Sequence, residues 1–336
     1  MNYDALLIVS FGGPEGPGEV LPFLENVLRG RNVPRERMLE VAEHYQHFGG
    51  VSPINEQNRA LVAALRNEFA ESGLNLPVYW GNRNWHPLLP DTLAQMAQDG
   101  VQRSLAFFTS AYSSYSGCRQ YRENLAAASE VVGPMAPSVE KLRAFYNHPG
   151  FIEPMAENVR RALDAIPSER RKTAHLVFTA HSIPSAMADT CRYASQLQEA
   201  SRLVAEAIDR TEWELVYQSR SGPPSQPWLE PDVCDHLRRI AATGTVKDVI
   251  IVPIGFVSDH MEVLYDLDTE AQQVCQELGI NMVRAATVGT HPKFIRMIRD
   301  LILERMNPDA PKLALGSFGP SHDVCAENCC PAPRRG

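Results

Sequence analysis

Short apolar runs rich in β-branched residues alternate along the chain with longer segments whose apolar positions recur near the helical period of 3.6. In the first half, Tyr3 to Phe11 predicts a strand that ends in Gly12-Gly13-Pro14, and Val20 to Leu28 predicts a helix. A second helix is expected from about Glu36 to His47, followed by helix Asn55 to Ala70, strand Pro77 to Asn82, helix Pro90 to Gln98 and strand Val101 to Phe108. The second half repeats the alternation, with strands near 174–180, 213–218, 247–254 and 281–286 set among helices near 151–165, 194–210, 232–241, 261–278 and 292–306. Such alternation implies parallel sheets flanked by helices. The expected fold is α/β, two similar doubly wound domains facing a common cleft, with residues 1–148 and 149–310 as the domains and 311–336 as a tail.

Two of these strands end in chemistry. Val249 to Val257 is an unbroken run of apolar, proline or glycine residues, as in a strand buried on both faces. Ser258 and Asp259 then offer N-caps for a helix on which Glu262, Asp266 and Glu270 recur every four residues, on one face. Like charges at that spacing cost roughly 0.2–0.5 kcal/mol per pair, so helix stability does not explain the row. It is either a solvated acidic first turn or a row turned towards a ligand. Ligands in open α/β sheets sit at the carboxyl ends of strands, which is where Asp259, His260 and Glu262 fall. The buried strand Ala174 to Ala180 likewise ends in His181-Ser182-Ile183-Pro184, so an imidazole and several carboxylates are expected in one cleft.

Composition narrows the class. An apolar content of 44% over 336 residues supports packed cores. The net charge of -8 and the lack of a basic patch exclude nucleic acid as the expected partner. No apolar stretch approaches the roughly 20 residues needed to span a bilayer, and the N-terminus lacks a basic n-region, so a cytoplasmic location is expected. The Gly12-Gly13-Pro14 turn lacks dinucleotide-binding spacing. Of seven cysteines, Cys191, Cys234 and Cys275 stand singly and read as small buried hydrophobes, whereas Cys325, Cys329 and Cys330 cluster in the tail as CAENCC.

The strings FTAHSIP around His181, YQSRSGPPSQPWLEPD from Tyr217 and VPIGFVSDHMEVLYDLD from Val252, preceded by SFGGPEGP and FGGVSPI, together resemble the ferrochelatases, which insert ferrous iron into a porphyrin. The resemblance covers nearly the whole chain. Inserting a metal requires removal of two pyrrole protons, a bent ring, and ligands that release Fe2+ again; imidazole and carboxylate suit the last need better than thiolate. The resemblance implies that His181 faces the pyrrole nitrogens as proton acceptor, metal ligand or both, with Glu262 as its partner. Asp259, His260, Asp266 and Glu270 are expected to relay protons or hydrated iron. Tyr45, Ser52 and Tyr121 match porphyrin-contacting positions, while Arg29 and Arg31 either pair with ring carboxylates or belong to a solvated loop. Phe11 stands where some bacterial members carry a tyrosine ligand, and Trp228 is expected to buttress the cleft.

Family members that take protoporphyrin IX carry a long hydrophobic lip between the first two helices. Here that segment is LRGRNVPRERMLEV, short and charged, which points to coproporphyrin III, with protoporphyrin IX as the alternative. Some ferrochelatases hold a [2Fe-2S] cluster through one internal and three C-terminal cysteines, an arrangement that Cys118, Cys325, Cys329 and Cys330 resemble; zinc or free thiols are the other readings of the spacing. Transient contact with neighbouring enzymes of haem synthesis is expected. The rival functions are a cobalt or nickel tetrapyrrole chelatase, which would present more histidines, and a haem carrier without turnover.

Overall fold

The computed structural model describes residues 2–30, 33–223 and 225–332. Among them, two four-stranded sheets are built, one from each half of the chain. The first contains β1 (Ala5–Ser10), β2 (Val78–Asn82), β3 (Arg103–Phe108) and β4 (Ser138–Lys141). The second contains β5 (His175–His181), β6 (Glu214–Gln218), β7 (Asp248–Val252) and β8 (Asn281–Arg284). Their orders are β2-β1-β3-β4 and β6-β5-β7-β8, all neighbours parallel, so the two halves share one topology.

The first half carries helices α1 (Val20–Val27), α2 (Arg35–His47), α3 (Ile54–Ser72), α4 (Leu89–Gln98) and α5 (Gln120–Val132). The second carries α6 (Pro149–Asp164), the single turn α7 (Ser185–Ala188), α8 (Tyr193–Ala207), α9 (Val233–Ala241), α10 (Met261–Tyr265), α11 (Gln272–Glu277) and α12 (Pro292–Met306). A π-helical turn, Asp266–Ala271, joins α10 to α11. The central strands β1 and β7 are buried along their whole length, as a helix-covered parallel sheet requires. One apolar core runs through both halves, joining Leu6 and Phe107 to Phe178 and Val252 through Phe151 of α6 and Phe294 of α12.

Both sheets change winding direction beside their first strand. The chain passes from β1 to β2 on one side and returns to β3 on the other, and β5, β6 and β7 repeat this. The crevices therefore lie beyond the carboxyl ends of β1/β3 and β5/β7.

Three features depart from the sequence pattern. The apolar run from Val249 does not stay in the sheet: β7 stops at Val252, because Pro253 has no N–H to give the ladder. Gly255 then crosses β5 so closely that a Cβ there would lie 2.7 Å from Ala180 Cβ, while its N–H donates to Thr179 O at 3.0 Å. The following helix starts at Met261 with His260 as N-cap, rather than at Ser258 or Asp259, and it is broken by the π turn. Strand β4, Ser138–Lys141 at the sheet edge, is too short to show an alternation, with Val139 its one apolar residue.

Candidate active site

The end of β5 delivers His181. Its Nδ1 contacts Ser182 O, so a neutral ring carries its proton on Nδ1 and turns the Nε2 lone pair outwards. Tyr193 of α8 donates to His181 O at 2.9 Å, fixing the same residue through its backbone. Opposite, α10 supplies Glu262, with Oε1 3.4 Å from His181 Nε2 and Oε2 3.8 Å from His260 Nε2. His260 is held by its capping role, its Nδ1 accepting from Val263 N at 3.3 Å. One carboxylate thus sits between two imidazoles.

The two imidazoles differ in charge. Burial opposes protonation of His181, but Glu262 and the Ser182 carbonyl outweigh it and raise the group to about 9. Burial also opposes ionisation of Glu262, and His181 reverses this, holding the carboxyl down to about 2. Water still reaches both side chains, which are 33% and 44% exposed, and so screens the pair. His260 is kept below its usual value by burial. At neutral pH the cleft therefore holds an imidazolium–carboxylate pair beside a neutral imidazole.

Asp266 feels the charges of both Glu262 and Glu270, but the π turn interrupts the helix they were expected to share and the three carboxylates differ. Asp266 is pushed up to about 7, by burial first and by Glu262 next, despite the hydrogen bond it accepts from Ser219 Oγ. Glu270 is raised by burial and by Asp232. Asp259, expected among these groups, instead turns its carboxylate to Arg284 at 3.2 Å and accepts from Thr287 Oγ1 at 3.1 Å. Arg284 also holds Asp268, at 2.9 Å for its longer contact. The arginine, the last residue of β8, draws Asp259 out of the row.

The carboxyl end of the first sheet carries rings. Phe23 of α1 lies edge-on to Phe11 at 6.3 Å, to Tyr45 of α2 at 5.8 Å and to Trp85 at 6.1 Å. Burial and the charges of Glu262 and Asp266 raise the Tyr45 hydroxyl well above its usual value, so this ring lies across the cleft from the row. His44 stacks on Tyr265 with ring centroids 3.6 Å apart, a second contact between lip and row. Ser52 is buried, and Tyr121 is buried beneath the Arg83 guanidinium, 4.4 Å from its ring centre. Arg29 is exposed, and Arg31 lies outside the described residues. Trp228 bridges Pro184 and packs on Gly222, which has room for no side chain.

At a separate place, Cys118 lies in the π turn Tyr115–Arg119 that precedes α5. The donor atoms of His322, Cys325 and Cys329 lie within 4.8 Å of one another, and the sulfurs of Cys329 and Cys330 are 3.7 Å apart. A hydrogen bond from Cys118, aided by Lys141 and His322, holds the Cys325 thiol down to about 4. Arg119 ties the tail in place by donating to Glu327 O at 3.0 Å. Sulfur donors converging with one lowered thiol fit a thiophilic metal group. His322, three residues before Cys325, was visible in the sequence only as an isolated histidine.

Two matched sheets with titratable groups at a switch point define an α/β protein of the chelatase fold. SirB of Bacillus subtilis with Fe3+ superposes with a TM-score of 0.56 at 12% identity, covering 91% of this chain and 98% of that one. The Ferrochelatase family model matches residues 3–306. A ferrochelatase of Rhodopirellula baltica is 61% identical over 99% of this chain and 95% of its own. The coproporphyrin III ferrochelatase of Streptomyces coelicolor is 56% identical over 98% and 94%. The chain belongs to the ferrochelatase family, and it is a metal chelatase enzyme of the lyase class. No helix among the described residues is long and apolar enough to cross a membrane.

Proposed function

We propose that the protein inserts Fe2+ into coproporphyrin III to give Fe-coproporphyrin III in haem synthesis. The observation that carries the chemistry is the His181–Glu262 pair, 3.4 Å apart at the switch point of the second sheet and facing the aromatic lip. Support for the substrate comes from the short charged segment between α1 and α2 and from relatives named coproporphyrin III ferrochelatases at 48–56% identity.

The ring lies against the lip, near Tyr45, Ser52 and Tyr121, with Arg29 as a partner for its carboxylates; Arg31, given the same role from the sequence, lies outside the described residues. Contacts at the rim hold the ring bent, so binding at the periphery distorts the centre. The Nε2 proton of His181 leaves before that nitrogen can accept a pyrrole proton or bind iron, and Glu262 is the nearest base. Asp266, with its raised value near 7, accepts protons in turn, and Glu270 continues the path outwards. Asp259 is assigned a bracing role with Arg284 instead of a place in the relay. His260 flanks Glu262 as a neutral group.

In the same reading the domains are 1–148 and 149–310, the tail 311–336 is separate, and the protein works in the cytoplasm with transient pathway contacts. Cys118, Cys325, Cys329 and Cys330 would hold a [2Fe-2S] cluster, which when bound would supply a redox-active cross-link between the turn that precedes α5 and the tail. Anaerobically purified protein should contain inorganic sulfide and absorb in the visible; Cys118→Ser should lose both.

The function is tested by anaerobic Fe2+ insertion into coproporphyrin III and, separately, protoporphyrin IX, followed by the Soret shift for wild type and His181→Ala. Preferential, His181-dependent turnover of coproporphyrin III is expected. Preference for protoporphyrin IX would overturn the substrate, and turnover of neither would overturn the activity.

A further inference from the structure

We propose that Ser219 is a positioning residue for iron insertion: from a left-handed backbone turn at the end of β6, its hydroxyl fixes the Asp266 carboxyl beside the His181–Glu262 pair. The inference rests on the role given to that pair above and concerns how its neighbour is held.

Residue 219 follows Gln218, which pairs with His181 in the strand register, so the end of β6 lies directly beside the candidate base. Successive side chains of an extended strand point to opposite faces of the sheet. Here they do not. Ser219 adopts φ +62°, and both side chains reach the same carboxyl. Ser219 Oγ donates to Asp266 Oδ2, while Gln218 Nε2 lies 3.4 Å from that oxygen and donates to Glu262 O at 2.8 Å. One strand end thus grips Glu262 through its backbone and Asp266 through its side chain.

Two costs accompany the grip. A non-glycine residue in the left-handed region is strained, and Ser is not among the types that favour it. Gln218 is 1% exposed, yet its Oε1 has no hydrogen-bond partner among the described residues, because the amide nitrogen is directed at Glu262 and Asp266. Opposite, Asp266 opens the π turn Asp266–Ala271, a rare geometry that recurs at functional sites. Irregular backbone on both sides therefore meets at the Ser219–Asp266 hydrogen bond. Folding alone gains nothing from this arrangement, since a glycine would take the turn without strain.

The alternatives separate through two variants with opposite effects on stability. Ser219→Gly keeps the turn, relieves the strain and removes the hydroxyl; Ser219→Thr keeps the hydroxyl but adds β-branching to the strained position. We expect Ser219→Gly to raise Tm and to lower kcat for Fe2+ insertion about tenfold, as loss of a supporting hydrogen bond does, with the KM for coproporphyrin III unchanged. Ser219→Thr should lower Tm and retain most of the wild-type kcat. Adding Ser219→Gly to Asp266→Asn should cause no further loss, since both remove one interaction. Wild-type kcat in Ser219→Gly, kcat that follows Tm in both variants, or additive losses in the double variant would each overturn the positioning role. His181→Ala, assayed alongside, reports on the underlying reading: unchanged insertion in that variant overturns the role of the pair itself, whatever Ser219 does.

Discussion

The carboxyl ends of β1 and β5 hold equivalent places in two sheets of the same strand order, yet one leads into aromatic rings and the other into titratable groups. Beyond β1 come Phe11 and the ring cluster around Phe23; beyond β5 come His181, Glu262 and Asp266. The topology supplies a crevice twice, and the residues planted there give each crevice a different task. In the proposed function, the macrocycle would be held by the ring-lined side and its centre served by the titratable groups of the other. That separation predicts losses of different kinds on the two sides.

The largest effect should come from the titratable side. Glu262→Gln keeps the shape of the side chain and removes the charge that raises His181, so the His181 titration, followed by NMR, should move down from about 9. Insertion should fall by roughly 10²–10⁴, the usual range for a general acid–base group. Binding of the ring, read from fluorescence quenching, should persist. A variant that loses ring binding in proportion to turnover would dissolve the division between the two sides.

The matching change on the apolar side is Phe23→Ala. Phe23 is 1% exposed at the centre of the small cluster formed with Val20, Leu24, Met38 and Ala42. Truncating such a ring costs about 3–5 kcal/mol where the site cannot collapse. The loss should appear as weaker ring binding and earlier local opening of α1 and α2 in hydrogen exchange, with the His181 titration unmoved. A shifted His181 titration would mean that the lip and the row are not separable.

How far the sequence revealed these two sides follows from which signals are local. Parallel strands buried on both faces are contiguous apolar runs, so β5 and β7 were legible along with the helices that cover them. His181 and Glu262 were legible because each sits one short step beyond such a run. The edge strand β4, four residues long with Val139 as its one apolar residue, left no pattern. The diversion of Asp259 was hidden too, since it depends on Arg284, 25 residues away and close only through the β7–β8 pairing. The same holds for Ser219, whose significance lies in a backbone angle and a partner 47 residues distant.

A smaller effect, confined to the titratable side, follows from Asp266. Its carboxyl titrates near 7 in the fold against an ordinary value of 3.8, so the folded state binds more protons than the unfolded one between those values. Stability of the wild type therefore falls as pH rises from about 4 to 7, and is lowest relative to a neutral side chain above 7. Asp266→Asn should raise Tm at pH 8 and converge on wild type near pH 4. The opposite sign would mean that the hydrogen bonds from Ser219 and Gln218 outweigh burial and the charge of Glu262.

The smallest expected effect tests the outer edge of the apolar side, where charge returns. Arg29 is exposed on the segment between α1 and α2, so any pairing with a ring carboxylate takes place in water and is screened. An exposed pair of this kind is worth about 0.2–1 kcal/mol, which converts to at most about fivefold in affinity. Arg29→Ala should raise the KM for coproporphyrin III within that range and leave kcat alone. It should leave protoporphyrin IX less affected, because that ring carries fewer carboxylates at its rim. The difference should shrink as salt is raised from low to high ionic strength. A kcat effect would move Arg29 out of the rim and into the chemistry, and equal effects on both porphyrins would remove it from substrate choice altogether.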